Sequence, residues 1–80
     1  MKIKILYFAE LRDALGMSEE DWETRATSIG ALASELATGH DAIRVRLPSL
    51  RFARNEAFAS NDDAISEGDV VAVIPPVAGG

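Results

Sequence analysis

Two short β-rich segments stand near opposite ends of this 80-residue chain, and they constrain its fold more than any other feature. Residues 2–8 (KIKILYF) and residues 70–74 (VVAVI) consist largely of β-branched, aromatic and aliphatic side chains, the types that favour strands. A domain of this size has one small core, so both segments have to contribute to the same sheet. We predict that these two strands lie side by side in its centre.

The clearest helical pattern lies between the two strands, over residues 28–38. Its apolar side chains recur at the i, i+3, i+4 and i+7 spacing of one helix face; they are Ile29, Leu32, Ala33 and Leu36. Ser28 is a suitable N-cap, and Gly39 is a suitable stop. We expect this apolar stripe to pack on the inner face of the sheet.

Other segments carry weaker patterns. Residues 9–16 indicate a short helix that ends at Gly16, and the acidic residues 19–25 indicate a weak strand that pairs with the first one. Residues 40–49 carry no clear pattern, and Pro48 argues against a central strand there.

A hairpin and a domain boundary complete the layout. Residues 50–54 and 57–59 indicate two short extended pieces, joined by a turn at residues 55–56. The order of elements predicts an α+β domain of the ubiquitin-like β-grasp class, in which one main helix packs across a mixed sheet. We assign residues 1–74 to this domain and residues 75–80 to a flexible C-terminal tail that ends in Gly-Gly.

The charge and residue inventory argues against several classes of function. The net charge is −5, from 13 acidic and 8 basic residues, whereas nucleic-acid binding needs clustered positive charge. Cysteine is absent and His40 is the single histidine, so we expect neither a thiol nucleophile nor a metal site. We interpret His40 as a surface or loop residue.

The sequence shows no signal-peptide pattern and no apolar run near the ~20 residues that span a bilayer, so we expect a cytoplasmic protein without a membrane segment.

The alternation of side chains along the end strands predicts an outer apolar patch. If Ile3, Ile5, Tyr7, Val71 and Val73 face the helix, then Phe8 and Ile74 face outward. Phe58, after the hairpin turn, extends this surface. Contiguous exposed apolar side chains mark interaction sites, so these three residues are candidates for binding a partner.

The C-terminal segment, residues 75–80 (PPVAGG), carries the candidate chemistry. Pro75 and Pro76 end the ladder of the last strand and favour a stiff, extended exit. Val77 and Ala78 are small and apolar, and Gly79 and Gly80 add no side chain. Six extended residues reach roughly 20 Å, long enough to place a terminal carboxylate deep inside another protein.

A glycine pair of this kind also arises by chance. Two terminal glycines occur in about 0.5 % of chains, given that glycine is ~7 % of residues, and chain ends tolerate glycine well. The alternative interpretation is therefore an inert, frayed tail. The position of the pair after a strand and two prolines favours a functional tail. Because cysteine is absent, the C-terminus is also the remaining place to carry sulfur.

Residues at both ends resemble one protein family. The segment from Glu67 to Gly80 (EGDVVAVIPPVAGG) is similar to the C-terminus of the small subunit of molybdopterin synthase. Residues 5–12 (ILYFAELR), up to Gly16, resemble that family's first strand and turn, and residues 53–55 (ARN) resemble its middle strand. Arg54 stands where the family has an apolar residue.

The resemblance implies a β-grasp sulfur carrier that binds no cofactor and is itself non-catalytic. It implies that a ubiquitin-activating-like adenylyltransferase uses ATP to adenylate the carboxylate of Gly80. A sulfurtransferase system then converts the adenylate to a thiocarboxylate. The tail enters the large subunit of molybdopterin synthase, and the thiocarboxylate gives its sulfur to cyclic pyranopterin monophosphate. The family also uses apolar residues at the positions of Phe8, Phe58 and Ile74 to dock its partners, in a heterotetrameric synthase.

Three alternatives stay open. The chain also resembles the sulfur carriers of thiazole biosynthesis, although these tend to be shorter and to lack the two prolines. A ubiquitin-like protein modifier would use the same activated glycine on lysine side chains. The third alternative is a β-grasp binding module with an inert tail.

Four arginines fall within one short stretch; they are Arg44, Arg46, Arg51 and Arg54. We interpret them as a solvated rim on an otherwise acidic domain. The alternative is a contact with acidic residues of a partner.

Overall fold

A computed structural model describes residues 1–76, in which helices cover one face of a mixed five-stranded sheet. The strands are β1 (Lys2–Tyr7), β2 (Glu19–Glu23), β3 (Arg51–Arg54), β4 (Ala57–Ala59) and β5 (Val70–Ile74). The helices are α1 (Ala9–Leu15), α2 (Ile29–Gly39) and α3 (Asp41–Arg46), followed by a short 3-10 helix (Leu47–Ser49). The strand order across the sheet is β2-β1-β5-β3-β4.

The predicted pairing of the two end strands is confirmed. β1 and β5 run parallel in the middle of the sheet, with Leu6 aligned with Ala72 and Tyr7 with Val73. β2 pairs with β1, and β3 with β5, in antiparallel orientation. Because a hairpin cannot join parallel strands, the chain between β1 and β5 forms a long crossover that contains α2 and α3.

Alternation along the two central strands divides the sheet into an inner and an outer face. The predicted inner side chains are all buried; they are Ile3, Ile5, Tyr7, Val71 and Val73. The predicted stripe of α2 packs in the same core, where Ile29, Leu32, Ala33 and Leu36 are buried. Burial of a side chain of the Val, Leu or Ile type contributes about 1.5–3 kcal/mol. The contact between α2 and the sheet is therefore a major source of stability.

Local geometry explains where the helices begin and end. α1 is followed by Gly16 in the left-handed conformation, with φ of 73°. The Ser28 side-chain oxygen accepts a hydrogen bond from the Ala31 amide at 3.2 Å, as an N-cap does. Gly39 is the last residue of α2. A Cβ atom at Gly39 would lie 2.9 Å from the Trp22 ring, so glycine permits this close approach.

The segment without a predicted structure, residues 40–49, is largely helical. α3 has six residues, of which Ile43 alone is buried, and the 3-10 helix includes Pro48. So short a helix shows less than two turns of periodicity. The sequence pattern therefore could not reveal it.

A buried carboxylate joins the β3–β4 hairpin to the start of β5. Asp69, which directly precedes β5, accepts hydrogen bonds from Arg54 Nε at 2.6 Å and Asn55 Nδ2 at 3.1 Å. It also accepts one from the Ser66 amide at 2.7 Å. Burial by itself raises the pKa of Asp69, but these hydrogen bonds outweigh it and hold the pKa below its ordinary value. The hairpin is thus fixed beside the strand that leads to the tail.

We expect Asp69→Asn to lower the free energy of unfolding at neutral pH by about 1–3 kcal/mol, because Arg54 loses an ionised partner. A carboxylate with a lowered folded-state pKa stabilises the fold fully above its ordinary pKa of 3.8. This contribution is lost as the pH falls below that value, through the folded-state pKa. Urea unfolding of both proteins over a pH series measures the difference.

The matched control is Asp62→Asn, which removes the same charge from an exposed position. It should follow the wild-type pH profile. The role assigned to Asp69 is wrong if Asp69→Asn loses as much stability as the wild type on acidification.

Candidate functional site

The chain reaches the surface directly after β5. Ile74 ends the strand, Pro75 is buried and Pro76 is exposed. The first residue of the predicted tail therefore still packs against the domain. The other predicted tail residues, Val77, Ala78, Gly79 and Gly80, lie outside the described residues, and their roles stay predictions.

Phe8, Phe58 and Ile74 lie around one shallow depression on the outer face of the sheet. Phe8 is 43% exposed, Phe58 is 71% exposed and Ile74 is half-buried. The structure thus places all three outside the core and close together, at the point where the chain leaves β5. Their role in binding a partner stays a prediction.

The strand register explains why a depression forms here. A row runs across the sheet from Phe58 to Ala53, from Ala53 to Ala72, and from Ala72 to Leu6. The two alanines are smaller than the side chains at either end of the row, so they form a floor between higher walls. Alternation along β1 and β5 implies that Leu6 and Ala72 face outward with Phe8 and Ile74. The sequence did not indicate Ala53, because the register of β3 against β5 cannot be derived from either strand alone.

Two charged side chains lie near the depression, and the sequence alone assigned neither of them to it; Arg51 lines an adjoining groove that shares Phe58 with the depression. Arg51 is aligned with Ile74 in the β3–β5 register. The Arg51 guanidinium carbon lies 5.8 Å from the centre of the Phe58 ring, within the range of a cation–π contact. Glu56, in the hairpin turn, lines the depression. The apolar surface therefore lies near one cation and one anion.

The other three arginines of the basic stretch bind carboxylates within the domain. Arg44 lies 3.5 Å from Asp41, and Arg46 lies 2.8 Å from Glu10 of α1. Arg54, which departs from the pattern of the resembling family, lies 2.6 Å from Asp69. Each of these arginines therefore has a carboxylate partner within the same domain. Arg51 is the remaining arginine of the stretch, and it lies near the depression.

His40 lies in the loop between α2 and α3 and is half-buried. Its Nε2 lies 2.7 Å from Oε2 of Glu20, and its ring lies against Trp22 at a centroid distance of 5.9 Å. Tyr7 donates a hydrogen bond to the same Glu20 oxygen. Burial and this carboxylate raise the pKa of Tyr7. The contacts among Tyr7, Glu20, Trp22 and His40 link β1 and β2 to the loop between α2 and α3. They lie on the face of the sheet opposite the depression.

Two features are absent from residues 1–76. This part of the chain contains no group of three His, Cys, Asp or Glu residues arranged to hold a metal ion. None of its helices combines the length and the apolar character that a membrane crossing requires.

Sequence comparison identifies the relatives of this chain. The ThiS family model matches residues 5–80. The molybdopterin synthase sulfur carrier subunit of Chlamydomonas reinhardtii is 34% identical over 83 residues, and the match covers 100% of both chains. The family resemblance found at the two ends of the sequence is therefore confirmed.

Solved structures share the fold. SAMP1 from Haloferax volcanii matches with a TM-score of 0.87 and 24% identity, over 100% of both chains. A chain from the complex of subunits 1 and 2 of molybdopterin-converting factor from Helicobacter pylori matches with a TM-score of 0.73 and 18% identity, also over 100% of both chains. These likenesses confirm the ubiquitin-like β-grasp fold. By its sequence match, the chain belongs to the ThiS family, together with molybdopterin synthase sulfur carrier subunits that it matches along their whole length.

Proposed function

We propose that this chain is the sulfur carrier subunit of a molybdopterin synthase and that the α-carboxylate of Gly80 is its working group. The observation that carries the proposal is that β5, the last strand before Gly79 and Gly80 in the sequence, ends at Ile74 beside an exposed apolar face. The family match over residues 5–80 supports it. The absence of cysteine leaves the C-terminus as the place to carry sulfur.

The chemistry follows from the weakness of a carboxylate as an electrophile. An adenylyltransferase of the ubiquitin-activating type joins the Gly80 carboxylate to the AMP portion of ATP and releases pyrophosphate. The resulting mixed anhydride has a good leaving group. Sulfide-level sulfur, delivered by a sulfurtransferase, attacks the acyl carbon, breaks its bond to AMP and leaves a thiocarboxylate on Gly80. Cyclic pyranopterin monophosphate then receives that sulfur, and water restores the Gly80 carboxylate.

The outer face would hold the carrier on the large subunit while the tail reaches the pterin. Phe8, Phe58 and Ile74 surround the depression where the chain leaves β5, so docking there would direct the tail into the partner. The Helicobacter pylori structure is a complex of two subunits of molybdopterin-converting factor. By analogy, we propose a heterotetramer of two carriers and two large subunits. We place this activity in the cytoplasm and assign the carrier no resident cofactor.

The second candidate function is that of a ubiquitin-like protein modifier. It is favoured by the structural match to SAMP1, a small archaeal modifier protein. Both functions begin with adenylation of Gly80 and differ in the nucleophile that follows, either sulfur or a lysine amine. Mass spectrometry of the chain from its own cells distinguishes them. A thiocarboxylate replaces one oxygen with sulfur, whereas a modifier is found in amide linkage to other proteins.

Deletion of Gly80 should abolish sulfur transfer and leave the thermal midpoint nearly unchanged, because a chain end contributes few stabilising contacts. The measurement is molybdopterin formation in a mixture of carrier, large subunit, activating enzyme, ATP and sulfur donor. A variant with one alanine added after Gly80 is the control for position. It retains both glycines but displaces the carboxylate, and it should also fail. Normal product formation by the deletion variant would contradict the proposal.

The thiocarboxylated carrier should form no molybdopterin without the large subunit. The depression beside the end of β5 is lined by apolar side chains and by Glu56, so it lacks the set of acid, base and electrophilic groups that a catalytic site needs. The test incubates the thiocarboxylated protein with cyclic pyranopterin monophosphate alone and then with the large subunit added. Rapid, saturable product formation by the carrier alone would assign catalysis to this chain and overturn the division of roles.

Phe8→Lys and Phe58→Lys should each leave the domain folded and weaken binding to the large subunit at least about tenfold, since buried aromatic anchors contribute ≥2 kcal/mol at interfaces. Titration calorimetry measures the binding, and thermal unfolding checks the fold. Val45→Lys is the matched control. Val45 is an exposed apolar residue, 63% accessible, on α3 at the helical side of the sheet, so its substitution should not affect binding. If both phenylalanine variants fold and bind normally, the depression is not the docking surface.

A further inference from the structure

We propose that Arg51 is the charged anchor of the docking face and binds a carboxylate that the large subunit presents beside the depression. The inference rests on the proposed function and adds the chemistry of the partner's surface to it. It makes the partner's contact region bipartite, with an apolar group over the depression and an acidic group at its Arg51 end.

The position of Arg51 is the first support. Arg51 begins β3 and is aligned with Ile74, the last residue of β5. Side chains aligned across an antiparallel pair share one face of the sheet, so Arg51 lies on the outer face where the chain leaves β5. A partner that docks on the depression at the end of β5 would therefore lie close to this guanidinium.

The second support is that this charge is uncompensated. Within residues 1–76, carboxylates lie within 4.0 Å of Arg12, Arg44, Arg46 and Arg54, but none lies so close to Arg51. Arg25 is the other arginine without such a partner, and it lines a groove between β2 and α2 instead. A protein with a net charge of −5 therefore presents, near its apolar depression, a guanidinium that no carboxylate of residues 1–76 contacts.

The third support is the packing of Arg51 against Phe58. The guanidinium carbon lies 5.8 Å from the ring centre, and a guanidinium over an aromatic ring still has its N–H groups in its own plane available for a carboxylate. This contact restricts the side chain before a partner binds, so less conformational entropy is lost on binding. Arg51 is thus partly organised for a bidentate contact.

Glu56 makes the charge of the docking face differ from one end to the other. Arg51 opens β3 and Glu56 lies in the turn that closes the hairpin, about 13–16 Å further along the strand direction. A partner carboxylate is attracted at the Arg51 end and repelled at the Glu56 end. Unfavourable charge contacts of this kind suppress wrong orientations, so the pair would help to select the orientation that delivers the tail.

The test measures binding to the large subunit by titration calorimetry at low and at physiological salt. Arg51→Glu should weaken binding at least about tenfold at low salt, and Arg51→Gln by less. Added salt should weaken binding of the wild type more than that of Arg51→Gln, because salt screens the charge pair.

Arg25→Glu is the matched control. It makes the same charge change at an exposed arginine away from the depression, and it should bind within about twofold of the wild type. Thermal unfolding confirms that each variant is folded.

A charge-reversal scan identifies the partner residue. Each exposed Asp or Glu around the tail entrance of the large subunit is changed to Arg, and one such variant should restore binding to the Arg51→Glu carrier. The proposal is overturned if Arg51→Glu binds like the wild type, if Arg25→Glu weakens binding equally, or if no reversal restores binding. If Phe58→Lys weakens binding of the carrier but the Arg51 variants bind like the wild type, the depression remains the docking surface and only the role proposed for Arg51 is wrong. If the wild type does not bind the large subunit at all, the proposed function fails as well.

Discussion

The parallel pairing of β1 and β5 is the contact on which the rest of the structure depends. Both strands are buried on one face, where the side chains of Ile5 and Val71 are fully inaccessible. Side chains alternate strictly along a strand, so the choice of the buried face also determines which side chains point outward. The core and the outer apolar face are therefore set by the same register. A shift of one residue would exchange them.

The hydrogen bonds of Asp69 fix the position of the β3–β4 hairpin relative to β5. Asp69 directly precedes β5 and binds Arg54 and Asn55 at the end of β3. Desolvation offsets much of the attraction in a buried ion pair, so such a pair adds little net stability, although the loss of one partner is costly. Its effect is geometric, because it holds the hairpin beside β5. Phe58 and Arg51 are thereby carried to the edge of the same depression as Ile74.

Under the proposed function, the inner face of the sheet provides stability and the outer face provides recognition. The inner face and the helices contain the core, the capped end of α2 and the cluster of Tyr7, Glu20 and His40. The outer face contains the apolar depression, with Glu56 at its lining and Arg51 close to Phe58. This arrangement suits a carrier, because substitutions on the outer face can alter the partner that is recognised without disturbing the packing that folds the domain. In the proposed function, the chemistry is left to the tail and to the proteins that receive it.

The sequence by itself determined the elements whose patterns are local. The period of two along residues 2–8 and 70–74 was enough to group the side chains of each strand into two faces, and the structure buries the face that was expected to meet the helix. The i, i+3, i+4 and i+7 stripe with its serine cap was enough to predict α2. The family motif at the C-terminus suggested the function. α3 was missed because six residues with one buried side chain, Ile43, leave almost no periodic signal.

Only the tertiary structure decided how distant residues combine. Arg46 meets Glu10 across 36 positions and Arg54 meets Asp69 across 15. No pattern in the chain distinguishes these arginines from Arg51, which has no such partner within residues 1–76. The depression likewise depends on the register that aligns Ala53 with Ala72. The physical reason is that strand pairing and ion pairing depend on separation in space, which the fold sets and the local sequence does not.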